Sequence, residues 1–126
     1  MSQNRKRLLV VEDSVDFQDL LKQLFESEGY HVVYASNGEE ALKKLRSDSD
    51  ADLPGLILLD LMMPVMDGFE FRDKQLLDPR LAGIPVVIMT AHADLKAAGI
   101  KAGVKDLFRK TSDLPALLEI VRKNCV

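Results

Sequence analysis

The chain has 126 residues, 47% of them apolar, which is enough for one domain with a real core. Its net charge is −3 with acids and bases mixed along the length, so it offers no basic field for nucleic acid and no polybasic tract for a membrane surface. The longest apolar runs fall far short of the ~20 residues of a membrane span, the N-terminus lacks a secretion-signal core, and the only cysteine, Cys125, excludes an internal disulfide.

The first apolar run, Leu8-Leu9-Val10-Val11, stops at Glu12-Asp13. Phe17, Leu20, Leu21, Leu24 and Phe25 then recur at helical spacing, a strongly one-sided stripe that Gly29 ends. Val32-Val33-Tyr34 predicts a short second strand, and Asn37 followed by Glu40 opens a helix carrying Ala41, Leu42 and Leu45. Ser47 to Asp52 reads as a surface loop. A third strand, Leu56 to Asp60, leads through Met-Met-Pro into a helix opened by Asp67-Gly68 and closed near Pro79. This helix is the least regular: Phe69 and Leu76 share a face with Arg72, whose stem is expected to cover core while its guanidinium reaches water.

Pro85 to Met89 predicts strand four. The following helix has the stripe Leu95, Ala98, Gly99 and Ala102, which buries little apolar surface and marks it as the element most free to move. Lys105 to Arg109 gives a weak fifth strand, and Asp113 opens a last helix bearing Leu114, Leu117, Leu118 and Val121. Alternating strands and helices predict an α/β fold with five parallel strands, helices on both faces, and the weak second and fifth strands at the edges. No repeat or linker interrupts the pattern, so one domain over 1–126 is expected, with a core of about 6–124 and no output domain.

In a parallel sheet the C-terminal strand ends share one rim, so Glu12, Asp13, Asp60, Thr90 and Lys110 should meet there. Carboxylates within ~4 Å repel by roughly 1 kcal/mol per pair in bulk water and by ~4 at an effective dielectric near 20. Such a cluster needs a cation. Ala91, beside Thr90, is small enough to leave the approach to Asp60 open. The two histidines and one cysteine are too far apart in sequence for zinc-ligand spacing.

Leu-Val-Val-Glu-Asp at 9–13, Leu-Leu-Asp-Leu-Met-Met-Pro-Val-Met-Asp-Gly at 58–68, Pro-Val-Val-Ile-Met-Thr-Ala at 85–91 and Lys110 together resemble the receiver domain of two-component response regulators, including the single-domain chemotaxis type. The resemblance spans nearly the whole chain. It implies a doubly wound, flavodoxin-like sheet in strand order 2-1-3-4-5 with five helices. It implies that Asp60 is the phosphoacceptor, fed by a histidine kinase or a histidine phosphotransfer protein. Mg²⁺ would be held by Asp13, Asp60 and the Met62 carbonyl, with Glu12 acting through water. Lys110 and Thr90 would each reach a phosphoryl oxygen. Phosphorylation would shift the face of the fourth helix, fifth strand and fifth helix toward an unknown output protein, in a cytoplasmic monomer or a phosphorylation-dependent dimer. The domain would catalyse only its own phosphorylation and dephosphorylation.

Two positions depart from the family pattern. Leu107 stands where Tyr or Phe is usual, so the response is expected to be smaller or to travel through the fourth helix; Phe108 should face the other way. Thr111 stands where proline is usual, which predicts a trans Lys110–Thr111 peptide, a reshaped loop and slower phosphoryl chemistry. Met62 and His92 flank the site as groups that limit water access or simply pack the loop; His31 reads as a strand-edge residue. An aspartate-nucleophile phosphatase would need a second Asp two places after Asp60, where this chain has Met62. The alternative left open is a degenerate receiver that binds partners without phosphorylation.

Overall fold

The structure is a computed structural model that describes residues 7–91, 97, 99, 102–104, 106–110 and 113–125. Five strands, β1 (Arg7–Val11), β2 (His31–Ala35), β3 (Leu56–Asp60), β4 (Val86–Thr90) and β5 (Leu107–Arg109), form one sheet in the order β2-β1-β3-β4-β5, all pairings parallel. The expected order 2-1-3-4-5 is therefore the observed one, with β2 and β5 at the edges; β2 has five residues like the central strands and only β5, with three, is short. β3 and β4 are buried along their whole length, which explains their unbroken apolar sequences.

Among the described residues four α-helices are continuous: α1 (Val15–Glu26), α2 (Gly38–Ser47), α3 (Gly68–Leu77) and α4 (Leu114–Asn124), the last being the fifth helix of the sequence reading. Ala97, Gly99 and Ala102 are also helical, while Leu95 and Ala98 of the expected fourth helix lie outside the described residues, as do His92, Lys105 and Thr111. The polar stretch after α2 contains a short 3-10 turn, Asp50–Asp52. No helix among the described residues is long and apolar enough to cross a membrane.

Alternation along the strands splits the core in two. Leu8, Val10, Leu56, Leu58, Val87, Met89 and Phe108 pack with Leu21, Phe25, Leu117 and Val121 of α1 and α4. Leu9, Val11, Ile57, Leu59 and Ile88 pack on the opposite face with α2, α3 and Ala102, joined by Leu107. Phe108 and Leu107 thus face opposite ways, as the strand period requires.

Each helix opens on a side-chain cap. Ser14, Asn37, Asp67 and Asp113 accept the backbone N–H of Phe17, Glu40, Glu70 and Ala116. Two stripes differ from expectation. In α1 the buried residues are Gln18, Leu21 and Phe25, and Leu20 is 44% exposed, because Gln18 turns inward to donate to the Glu12 carbonyl. In α3 the inward face is Gly68, Phe71 and Gln75, spaced i, i+3 and i+7, whereas Leu76 is exposed. Arg72 does not simply reach water: its guanidinium donates to Ala102 O, Gly103 O and Gln75 Oε1.

Candidate functional site

Parallel pairing puts the C-terminal ends of β1, β3 and β4 on one rim, and the acidic residues follow directly. Glu12 is held by its own backbone: its N–H donates to Ala35 O at 3.0 Å, while its carbonyl accepts from Gln18. Its side chain is fully buried, and Oε2 accepts the Ser14 N–H at 3.0 Å. Asp13, next in sequence, is exposed. Asp60 closes β3 at 3% exposure, with Oδ1 accepting the Met62 N–H at 3.2 Å. One carboxylate oxygen from each of Glu12, Asp13 and Asp60 lies within 4.8 Å of the others. This all-oxygen donor set suits a small hard dication such as Mg²⁺, and its three carboxylates supply more negative charge than one lysine cancels.

Lys110 follows β5, and its backbone N–H donates to Thr90 O at 2.9 Å, extending the β4–β5 pairing to the rim. Its ammonium lies 2.6 Å from Glu12 Oε1 and 3.1 Å from Asp60 Oδ2, with the Phe17 ring centroid 5.1 Å away. The sequence reading placed Lys110 against the phosphoryl position and did not foresee its closer contact with Glu12. Burial pushes the Glu12 carboxyl upward, and Asp60 adds to this, against the lowering effect of Lys110 and the Ser14 N–H. Burial pulls Lys110 down, but contact with Glu12 and the charge of Asp60 outweigh it, so the ammonium is held above its ordinary range.

Thr90 ends β4, buried, one residue beyond Met89, the register partner of Asp60; Ala91 follows it and is exposed. Leu107 is on β5 but away from the acidic cluster, half-buried over Gly99: a Cβ on Gly99 would sit 3.0 Å from Leu107 Cδ1.

The loop from Asp60 to Gly68 frames the site. The Gly68 N–H donates to Leu61 O, and a Cβ there would lie 2.6 Å from Asp60 O and 2.8 Å from Leu61 Cα, so only glycine lets α3 start this close to the end of β3. Met66 N–H donates back to Pro64 O at 2.7 Å across Val65, whose φ is 68°. That is a three-residue turn in a conformation a β-branched residue rarely adopts. The sequence reading missed it, and only the polar-free run Pro64-Val65-Met66 hints at it. Val15, the first residue of α1, and Met62 and Val65, in the loop after Asp60, are 64%, 57% and 74% exposed.

The comparisons agree with this geometry. The family model of the response regulator receiver domain matches residues 8–122. The chain belongs to the receiver domain family. This receiver is 35% identical over 121 residues to an uncharacterized 14.6 kDa protein of Leptolyngbya boryana, covering 94% of the chain and 89% of that protein. It is 39% identical over 107 residues to PhoP, the alkaline phosphatase synthesis transcriptional regulatory protein of Bacillus subtilis, covering 83% of the chain and 42% of PhoP, so it spans less than half of that longer regulator. Its fold is similar to that of the response regulator TrrA of Thermotoga maritima, solved in complex with Mg²⁺ and BeF, with a TM-score of 0.80, 30% identity, and 94% and 97% of the two chains covered.

Proposed function

We propose that this receiver takes a phosphoryl group from a phosphohistidine of a histidine kinase or phosphotransfer protein onto Asp60. The observation that carries the reading is the placement of Asp60 between opposite charges, with the Lys110 ammonium 3.1 Å from Oδ2 and the acidic trio clustered within 4.8 Å beside it. One Asp60 oxygen attacks phosphorus, the P–O bond forms as the P–N bond breaks, and the electron pair leaves with the imidazole nitrogen. Lys110 stabilises charge growing on a phosphoryl oxygen, and Thr90 donates its hydroxyl to another. Asp13, Asp60 and the Met62 carbonyl would hold Mg²⁺, with Glu12 reaching it through water, and the ion would supply charge that neutralises the carboxylates and the incoming phosphoryl group. Glu12 also steers Lys110, since both its oxygens are engaged by protein groups.

Val15, at the start of α1, and Met62 and Val65, in the loop after Asp60, expose apolar side chains on the segments that carry the acidic residues, suited to the surface of a protein donor. The added charge shifts the face of β5, α4 and the helical segment that leads to Ala102, which an output protein reads. The domain acts on no substrate but itself.

Intact mass after incubation with Mg²⁺ and acetyl phosphate tests the reading: wild type gains one phosphoryl group and Asp60→Asn gains none. Equal behaviour of the two proteins would sink it. A phosphorylation-independent binding module is the second reading, favoured by Leu107, which fills the space over Gly99 with a branched aliphatic side chain where the family usually has a ring.

A further inference from the structure

Arg72 is a half-buried cation with no ion-pair partner among the described residues. Burial alone pulls its guanidinium below the usual range, and no carboxylate offsets this. An arginine desolvated without a counter-ion is a costly choice at a position that a leucine would fill.

Its hydrogen bonds account for the choice. Nε donates to Ala102 O at 3.0 Å and Nη2 to Gly103 O at 3.4 Å. Those carbonyls end the helical segment between β4 and β5. Val104 N–H donates to Gly99 O at 2.9 Å and Gly103 has φ 68°, the six-to-one closure with a left-handed glycine that stops a helix. A helix C-terminus carries partial negative charge, so the guanidinium faces a dipole in place of a carboxylate.

The remaining nitrogen extends the contact. Nη1 donates to Gln75 Oε1 at 2.8 Å, and the fully buried Gln75 amide donates to Leu81 O and Ile84 O, both at 3.0 Å. Ile84 stands just before β4, the strand that ends at Thr90. Two side chains one turn apart on α3 therefore hold both ends of the stretch from Ile84 to Gly103. Leu107 packs over Gly99 inside that clasp.

We propose that Arg72 is a positioning residue for signalling: by fixing Ala102–Gly103 to α3, it forces displacement at Thr90 outward onto Leu107 and β5 instead of letting it dissipate at the far end. The inference rests on Asp60 being the phosphoacceptor. Coupling of this kind requires a contiguous element with two arrangements, and the clasp supplies the fixed frame for one.

Amide exchange of the full chain with and without Mg²⁺ and beryllium fluoride tests it, with Asp60→Asn as control. Wild type should change protection at Leu107–Arg109. Arg72→Met should still take up the mimic with an affinity within about twofold of wild type, yet lose at least about half of that change. Arg72→Lys, which keeps a cation at the carbonyls, should restore part of it, and Arg72→Gln provides a second loss variant should Arg72→Met not fold. A loss variant that melts earlier but shows the full change at Leu107–Arg109 would mean that Arg72 is only structural, and the inference would be overturned. Failure of the phosphoacceptor reading looks different: wild type and Asp60→Asn would respond alike, and the inference would fall with it.

Discussion

Val65 stores strain beside the chemistry. A β-branched residue at φ 68° costs about 1–2 kcal/mol relative to its ordinary conformations, and with 74% of its surface in water it recovers little by packing. Glycine enters a positive-φ γ-turn without a Cβ clash, so Val65→Gly should stabilise the domain by roughly 0.5 kcal/mol in denaturant melts, the relieved strain exceeding the entropy glycine adds to the unfolded chain. Exposure of Val65 in the loop after Asp60 adds a functional arm: Val65→Asp should slow transfer from a protein donor at least about fivefold while leaving acetyl phosphate uptake unchanged. Lys110 behaves in the opposite sense. Removing its ammonium strands a fully buried Glu12 and a nearly buried Asp60, and Lys110→Met should cost about 2 kcal/mol in the absence of Mg²⁺. Glu12, Asp13 and Asp60 were legible in the sequence because they close short apolar runs, whereas Lys110, which follows Arg109 at the end of a weak strand, was placed by the family resemblance. The Glu12–Lys110 contact was not legible, since it depends on which carboxylate the backbone turns inward, and neighbouring Glu12 and Asp13 look alike in one dimension.

The helices divide in the same way. Caps at Ser14, Asn37, Asp67 and Asp113 carry local signals, so helix starts could be read directly. The inward face of α3 could not, because its apolar residues surround the helix and a buried glutamine completes the stripe. Stability should follow the structure over the hydropathy. Gln75→Ala leaves Ile84 O without its side-chain donor, removes one of two donors from Leu81 O and strips Arg72 Nη1 of its acceptor, and should cost about 2 kcal/mol, while Leu76→Ala should stay within about 0.5 kcal/mol in the same melts. If Leu76 proved the more sensitive position, the assignment of the α3 face would be wrong. Strand boundaries shifted by only a residue or two, β4 running to Thr90 and β5 beginning at Leu107, because pairing with a neighbour rather than propensity decides where a ladder ends.

For the molecule as a whole, topology followed from alternation of short apolar runs with helices, and the strand order followed from family resemblance. The acidic rim makes stability depend on cation and proton together. Glu12 is held above the 4.5 of an unburied glutamate, so the folded chain binds that proton more tightly than the unfolded one. Its contribution to stability is complete below 4.5 and is lost as pH rises through the raised value. Mg²⁺ has the reverse dependence, because it needs the carboxylates ionised. At neutral pH a hundredfold excess over Kd should add ~2.7 kcal/mol, and this gain should shrink as Glu12 protonates. Thermal melts with Mg²⁺ or a chelator across that range check it, and Asp13→Asn should remove most of the difference. A cation effect that grows as the solution becomes more acidic would contradict the assignment.

Gly68 sets a rule for anyone rebuilding this protein. Since no side chain fits between α3 and the Asp60 carbonyl, the Asp60 backbone and the first turn of the next helix cannot be spaced apart independently. A chimera that exchanges the helix while retaining the aspartate, or the reverse, inherits a mismatch at the Asp60 carboxylate. The stretch from Asp60 to Gly68 is thus a single transplantable part, and recombination inside it should yield folded proteins that accept phosphate poorly.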